Sequence, residues 1–363
     1  MIFCTLFDSN YLDKGLVLYK SIKLNTKSFK LYVLAMDDFT ERVLNSLEYN
    51  HLIVINLKHF IGKMSLSKEF NDRKRAEFCW TCTPFLIDYV INECSEQFCT
   101  YVDADMYFYS DPSILLEEMQ EKTVQIVEHR FTKSLFDKYA KKSSGNYCVQ
   151  FNTFKNEEKS IDLLNWWKSK CKESCSQSGI NGVMGDQYYL NGWETKDFVS
   201  VLQNYGGGVA PWNIGQYKLI GNNNGKLTLK KGKSKFELIF YHFHNLSYLS
   251  NNKVNISVYE RKLINDSKLI NCIYLPYLGE LQSAKKYLKK NYNFYPLITE
   301  HPGFTKKDKR ENSFCKINKS LKRSGLIEFL EKTTLVCRNW IVSHLNAKKD
   351  IIQIGDEVKE WSI

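Results

Sequence analysis

Apolar residues in the first part of the chain fall into two alternating patterns. Short, nearly continuous apolar runs occupy Ile2–Phe7 (IFCTLF), residues 31–36, residues 52–57 (LIVINL), residues 98–103 and Val124–Glu128. Each has the length of a strand, which predicts five buried strands. Between them, Leu12, Leu16, Leu18, Tyr19 and Ile22 recur at helical spacing within residues 11–24, and residues 40–49 give a second helix. Thr83-Pro84 joins a capping side chain to a proline suited to the first helical position. That pair predicts a helix from there through about Ile91, and Asp111-Pro112 predicts another start of the same kind.

Strands alternating with helices at these intervals indicate an α/β protein with a mainly parallel sheet flanked by helices. Sheets of this kind bind ligands beyond the carboxyl ends of their strands, where Asp8 and Asp103–Asp105 lie. From about Asn146 the pattern loosens. A helix is expected over residues 157–175, another from about Gly185, and strands at residues 227–230 and 238–243. Beyond about Leu278 the text turns basic and helical, with one or two helices expected at residues 320–345. The expected organisation is one domain at 1–280 and a basic, mainly helical extension at 281–363. The donor-binding half of the domain is placed at about 1–145 and an acceptor-side half at about 146–280.

The segment Tyr101-Val-Asp-Ala-Asp105 ends an apolar run in two carboxylates at i and i+2. In an extended chain that spacing puts both on one side, where they repel unless a cation lies between them. Mg²⁺ or Mn²⁺ suits such oxygen ligands and can carry a diphosphate. The simpler reading is a polar strand end facing water. Asp111, followed by proline, reads as a helix cap and not as a ligand.

The opening CTLFDSNYLDKGLVLYKSI, the central YVDADMYFYSDP, the later GVMGDQYYLN and the late FYHFHN occur in an order that resembles glycosyltransferase family 8 and related bacterial nucleotide-diphospho-sugar transferases. The resemblance covers roughly residues 1–250. It implies a GT-A (Rossmann-like) fold and the transfer of a hexose-type sugar from a nucleotide-diphosphate sugar, as a UDP-sugar, to a glycan or glycolipid acceptor. Bacterial surface polysaccharide synthesis is the setting it suggests. It also implies roles residue by residue. Asp103, Ala104 and Asp105 match the metal and donor segment, and His242 matches a distant histidine ligand. His244, two residues on, competes for that role. Asp186 and Gln187 match an Asp-Gln pair beside the transferred sugar, although Asp186 taken alone also reads as a helix cap. Thr5, Asp8 and Tyr11 match the part that holds base and ribose. Asp8 has two readings of equal standing, as acceptor for the base or as cap of the next helix. Arg75 is the candidate for contact with the diphosphate or donor sugar. Gln150 and Asn152, in VQFNTF, face the cleft or belong to an ordinary half-exposed strand. The Lys-Pro-Trp common after the late histidine in that family is absent; Lys253 is the first basic residue that follows. Ala210-Pro-Trp-Asn213, after three glycines, is not a feature of that family and reads as an acceptor-side loop or a plain turn.

Composition narrows the alternatives. Hydrophobic residues make up 43% of 363, enough for a large core. The start carries no basic, apolar leader pattern, and no later stretch has the uncharged length of a membrane span. The eleven cysteines follow no disulfide-scaffold rhythm. A cytoplasmic protein is therefore expected. Cys79, Cys82, Cys171 and Cys175 fall in helical text, where such spacings share a buried face, and Trp166-Trp167 reads as core. A sugar-phosphate nucleotidyltransferase is the alternative enzyme class, but the glycine-rich loop it needs is missing from Phe7-Asp-Ser-Asn-Tyr11. A catalytically inactive carbohydrate-binding protein is the other alternative. Residues 285–323 hold twelve Lys/Arg against three acids, a local balance of +9 within a net +11. With Tyr287, Tyr292, Phe294 and Tyr295 interleaved, this segment is expected to rest on an anionic membrane from the cytoplasmic side. Nothing resembles a nucleic-acid module, and no nucleic-acid partner is expected.

Overall fold

The computed structural model describes residues 1–132, 141, 144–176, 185–250, 253–256, 266–296 and 351–353. Residues 297–323 of the basic segment and the helices expected at 320–345 lie outside them.

The chain enters as strand β1 (Ile2–Phe7), helix α1 (Leu12–Asn25), β2 (Lys30–Ala35), α2 (Asp38–Ser46) and β3 (Leu52–Asn56). Three helices follow, α3 (Leu57–Met64), α4 (Ser67–Asp72) and α5 (Arg75–Asp88). Then come β4 (Phe98–Val102), β5 (Met106–Phe108), α6 (Ser113–Glu117), β6 (Val124–Glu128) and β7 (Tyr147–Lys155). The helix Glu158–Glu173 leads to β8 (Val199–Val201) and a meander of β9 (Lys218–Asn223), β10 (Lys226–Lys231) and β11 (Ser234–Glu237). Strand β12 (Phe240–His242) and the helix Leu275–Tyr292 complete the elements that shape the site.

The central sheet has the order β3-β2-β1-β4-β7-β6-β8. Every neighbouring pair is parallel except the two made by β7, which runs against β4 and β6. This is the mainly parallel, helix-flanked sheet that the alternation of strands and helices predicted. Alternation along β1 builds its two faces. Phe3 and Phe7 point to α1 and the helix Leu275–Tyr292, while Cys4 and Leu6 point to α5 and the helix Glu158–Glu173. Burying each large apolar side chain contributes about 1.5–3 kcal/mol.

Three sequence expectations change. Thr83-Pro84 does not start a helix: α5 begins at Arg75 and carries Pro84 inside it. The proline removes one bond, to the Trp80 carbonyl, but Phe78, Cys82, Phe85 and Leu86 are buried on both sides of it, and that burial outweighs the loss. The helix expected near Gly185 is a single 3₁₀ turn, Gln187–Leu190, entered through Gly185 at φ +65°. The chain does not loosen at Asn146 either. β7 is nine residues long and lies in the middle of the sheet, so Gln150 and Asn152 are fully buried and not half-exposed.

The helix Leu275–Tyr292 packs on α1. Lys20 pairs with Glu280 at 2.8 Å, and Tyr277 stacks on Phe243 with ring centroids 3.7 Å apart. Residue 280, the expected domain boundary, falls inside this helix. Lys285 is buried, with its ammonium 3.8 Å from the Tyr248 ring, and so cannot meet a membrane. Tyr287, Tyr292 and Phe294 also pack inward, Phe294 against Phe39 at 4.5 Å, leaving Tyr295 as the exposed aromatic of the four. Of the tryptophan pair, Trp167 is core, but Trp166 is 43% exposed. Among the described residues, no helix is long and apolar enough to cross a membrane.

Candidate active site

Strand β4 ends at Val102, and the chain turns at once, the Met106 N–H donating to the Asp103 carbonyl at 3.2 Å. The two carboxylates therefore converge through a turn and not through strand alternation as expected. β5 then pairs antiparallel with β12, with Met106 opposite His242. That register brings a residue 137 positions after Asp105 beside it. His242 Nε2 lies 3.0 Å from Asp105 Oδ1 and 3.6 Å from Asp103 Oδ2. One donor atom from each of the three side chains lies within 4.8 Å of the others. The Tyr101 hydroxyl donates to Asp103 Oδ1 at 3.1 Å and steadies it.

The other ring nitrogen of His242, Nδ1, faces Gln150 Oε1 at 3.0 Å. An amide oxygen can only accept, so Nδ1 carries a proton, and once Nε2 gives up its own its lone pair is turned to the carboxylates. That is the tautomer a metal-ligating histidine needs, set by an outer partner. His244, its ring centre 5.5 Å from that of His242, is not one of the three converging groups. It packs on the edge of Trp212 at 5.4 Å, and its pKa is pushed down to about 4 by burial and then by His242. The geometry selects His242 of the two. The donor set, two carboxylates and one neutral imidazole nitrogen, fits a divalent ion.

The electrostatics follow from burial and crowding. Burial, with the charge of Asp105 added, raises Asp103 to about 7, although a quarter of its side chain stays exposed and solvent moderates the effect. Burial works against Asp105 too, but His242 and then Lys14 outweigh it and hold this carboxylate well below the usual range. Burial would lower His242; the neighbouring Asp105 raises it instead. Asp186 is raised to about 7 by burial and then by Asp103, which places it among the same acids. Its carbonyl accepts from Trp167 Nε1 at 3.1 Å, so the core tryptophan fixes this turn. Gln187, next in the chain, is half-buried.

The remaining predicted residues divide. Asp8 both caps the turn Ser9–Tyr11, accepting from the Asn10 N–H at 3.0 Å, and pairs with Arg75 Nε at 3.3 Å. Arg75 also donates to the Met36 carbonyl at 2.6 Å, bridging the ends of β1 and β2. Arg73 turns away to the Cys171 carbonyl and joins α5 to the helix Glu158–Glu173. Tyr11 is 40% exposed and open to a ligand. Ala104 is buried between its two acids. Thr5 is fully enclosed on the α1 side, with its hydroxyl unpartnered. Asn152 and Gln150 Nε2 are likewise buried without partners. Of these three, only Gln150 touches the metal cluster directly.

The sequence reading missed Lys14 and gave Trp212 only a place in a loop. Lys14, on α1, is buried, with Nζ 3.1 Å from the Leu246 carbonyl and 3.8 Å from the Tyr11 ring centre. Burial would lower its pKa, but Tyr11, Asp105 and Asp13 keep it above the usual amine range. Trp212, in the Ala-Pro-Trp-Asn loop, sets its ring edge-on to His242 at 5.5 Å and donates to the His129 carbonyl at 2.8 Å. Asn213 ties the same loop to that carbonyl and to Gly208. The loop is thus a wall of the cluster and not a free turn. The triple glycine before it was its only sequence signal: a Cβ on Gly206 would stand 2.0 Å from the Glu237 carbonyl oxygen.

Fold and site together define an α/β protein with a mainly parallel, helix-flanked sheet and a candidate metal centre at the ends of its strands. No family model matches the chain. The uncharacterized protein YfnF of Bacillus subtilis (strain 168) is 30% identical over 260 residues, covering 69% of this chain and 84% of that protein, and this chain belongs to the same family. A second Bacillus subtilis protein, the uncharacterized YfnD, is 26% identical over 293 residues, covering 78% and 91%. Among solved structures, apo mouse xyloside xylosyltransferase 1 is similar at a TM-score of 0.43 and 11% identity, covering 68% of this chain and 98% of that one.

Proposed function

We propose that this protein is a metal-dependent glycosyltransferase. It moves a hexose-type sugar from a nucleotide-diphosphate sugar, a UDP-sugar, to a glycan or lipid-linked acceptor in bacterial surface polysaccharide synthesis. The observation that carries the reading is the convergence of Asp103, Asp105 and His242, with Gln150 turning the imidazole toward the acids. These three side chains would hold Mn²⁺ or Mg²⁺. The ion, when bound, neutralises the leaving diphosphate.

The chain's own residues supply the rest. Tyr11 presents an exposed ring to stack on the base, and Asp8, oriented by Arg75, accepts from the base or ribose. Lys14, whose charge acts on Asp105, would supply the diphosphate with charge that a late Lys-Pro-Trp does not. Asp186 accepts hydrogen bonds from sugar hydroxyls, with Gln187 toward the anomeric carbon. Among the described residues, Lys286, Lys289 and Lys290, all exposed, would serve the expected C-terminal contact with an anionic cytoplasmic membrane face.

The test is a panel of nucleotide sugars with Mn²⁺, read as release of nucleoside diphosphate. Asp103→Asn and Asp105→Asn should each lose about a hundredfold or more in rate while melting normally. EDTA should abolish release and Mn²⁺ restore it. Full activity in EDTA removes the metal from the account. Pyrophosphate release from a nucleoside triphosphate and a sugar phosphate would point to the nucleotidyltransferase class instead.

A further inference from the structure

Strands β9 to β11 form an antiparallel meander that lies in the chain between the Trp212 loop and His242. Residues 218–237 carry six lysines against one acid, Glu237. Their placement is ordered. Lys230, on the middle strand, is paired with Lys218 on one side and with Lys235 on the other. A rank of three ammonium groups therefore crosses the sheet, with directly opposed Cβ atoms about 4.5–5.5 Å apart. All three lysines are exposed. Among the described residues none of them has an acid within ion-pair distance; the nearby pair is Lys226 with Glu237 at 3.9 Å.

Like charges set opposite one another weaken a sheet. The meander keeps them because its other face holds it down: Leu227 and Leu229 are buried, and Leu219 and Phe236 pack on the same core. Next to Lys218 the ladder slips by one residue, and the extra residue, Ile220, stands 41% exposed on the outside. The outward side is thus a basic sheet face with one apolar side chain among its lysines.

We infer that this face docks on an anionic membrane surface. Lysine ammoniums suit headgroup phosphates as point charges, and Ile220 can enter the interface beside them. The outer positions of the meander hold no arginine for bidentate contacts and no aromatic for stacking on bases, which disfavours nucleic acid. Binding to a membrane needs neither donor nor metal, so the inference stands apart from the transferase reading. If that reading also holds, docking by the meander would hold the enzyme on the surface that carries lipid-linked acceptors.

The experiment is co-sedimentation of the full chain with phosphatidylcholine vesicles, with and without phosphatidylglycerol. The wild type should bind only the anionic vesicles and leave them in high salt. The triple variant Lys218→Gln, Lys230→Gln, Lys235→Gln should bind about tenfold more weakly or worse. It should melt at the same or a higher temperature, because the removed charges repel one another. Lys286→Gln, Lys289→Gln, Lys290→Gln measures the C-terminal contribution separately. Wild-type binding by the meander triple, or no binding by the wild type, overturns the inference. Equal affinity for duplex DNA at the same salt also overturns it, in favour of a nucleic-acid partner.

Discussion

Asp103, Asp105 and His242 form a cluster whose charge depends on whether a cation is present. Without one, Asp103 is raised to about 7 and His242 is raised by its acids, so the cluster takes up protons as pH falls through this range. A divalent ion needs the carboxylate and the neutral imidazole. Binding must therefore release protons, and affinity must fall as pH drops through about 7. Asp105, held low, stays ionised and adds nothing to this dependence. Calorimetric titration with Mn²⁺ should show a dissociation constant rising about tenfold per pH unit below 7 for each proton released. The heat should vary with the buffer's ionisation enthalpy. A pH-independent affinity would mean the three side chains are not the ligands. Gln150→Leu should weaken Mn²⁺ about 10–100-fold by freeing the imidazole tautomer. At this scale the acids and His242 were legible because motif and spacing named them. Gln150 was legible as a polar residue in an apolar strand, but its partner 92 residues away was not. Lys14 was not legible, because a lysine on a helix reads as a solvated charge until the elements covering that helix are known.

At the scale of elements, β1 and α1 fit through one missing side chain. A Cβ on Gly15 would stand 2.2 Å from the Phe7 ring. Gly15→Ala must push that ring into a packed core holding Leu16 and Val17, at a cost of about 1–3 kcal/mol. Urea unfolding should show the loss as a lower midpoint at unchanged slope. A midpoint equal to wild type would mean the ring has room to move. The five early strands and the first two helices were legible because their apolar periods are clean. The start of α5 was not, because Thr83-Pro84 imitates a beginning where packing carries the helix through. The central place of β7 was not legible for the reason that makes the strand useful: Gln150 and Asn152 interrupt its apolar run, and local text cannot tell polar groups turned to a site from polar groups turned to water.

For the whole molecule, the question is whether the chain beyond residue 274 is an appendage or part of the core. Tyr277, Leu278, Leu281, Ala284 and Leu288 are fully buried against α1 and Phe243, the residue after the candidate ligand His242. Burial at about 1.5–3 kcal/mol for each large side chain makes this helix comparable in worth to the net stability of a domain. Within Leu275–Tyr292 the lysines other than Lys285 lie on the outer side of the helix; its inner side continues the core, and charge counts do not distinguish the two. A chain ending at residue 296 should therefore keep a cooperative thermal transition and Mn²⁺ binding, losing the ladder between Ile351–Gln353 and Lys253–Asn255. A chain ending at 274 should lose both properties, with the bared α1 and Phe243 showing as dye-binding apolar surface and aggregation. Unfolding of the 274 chain at the same midpoint as the 296 chain would reverse the conclusion. It would make the C-terminal helix a separate unit and place the domain boundary before it.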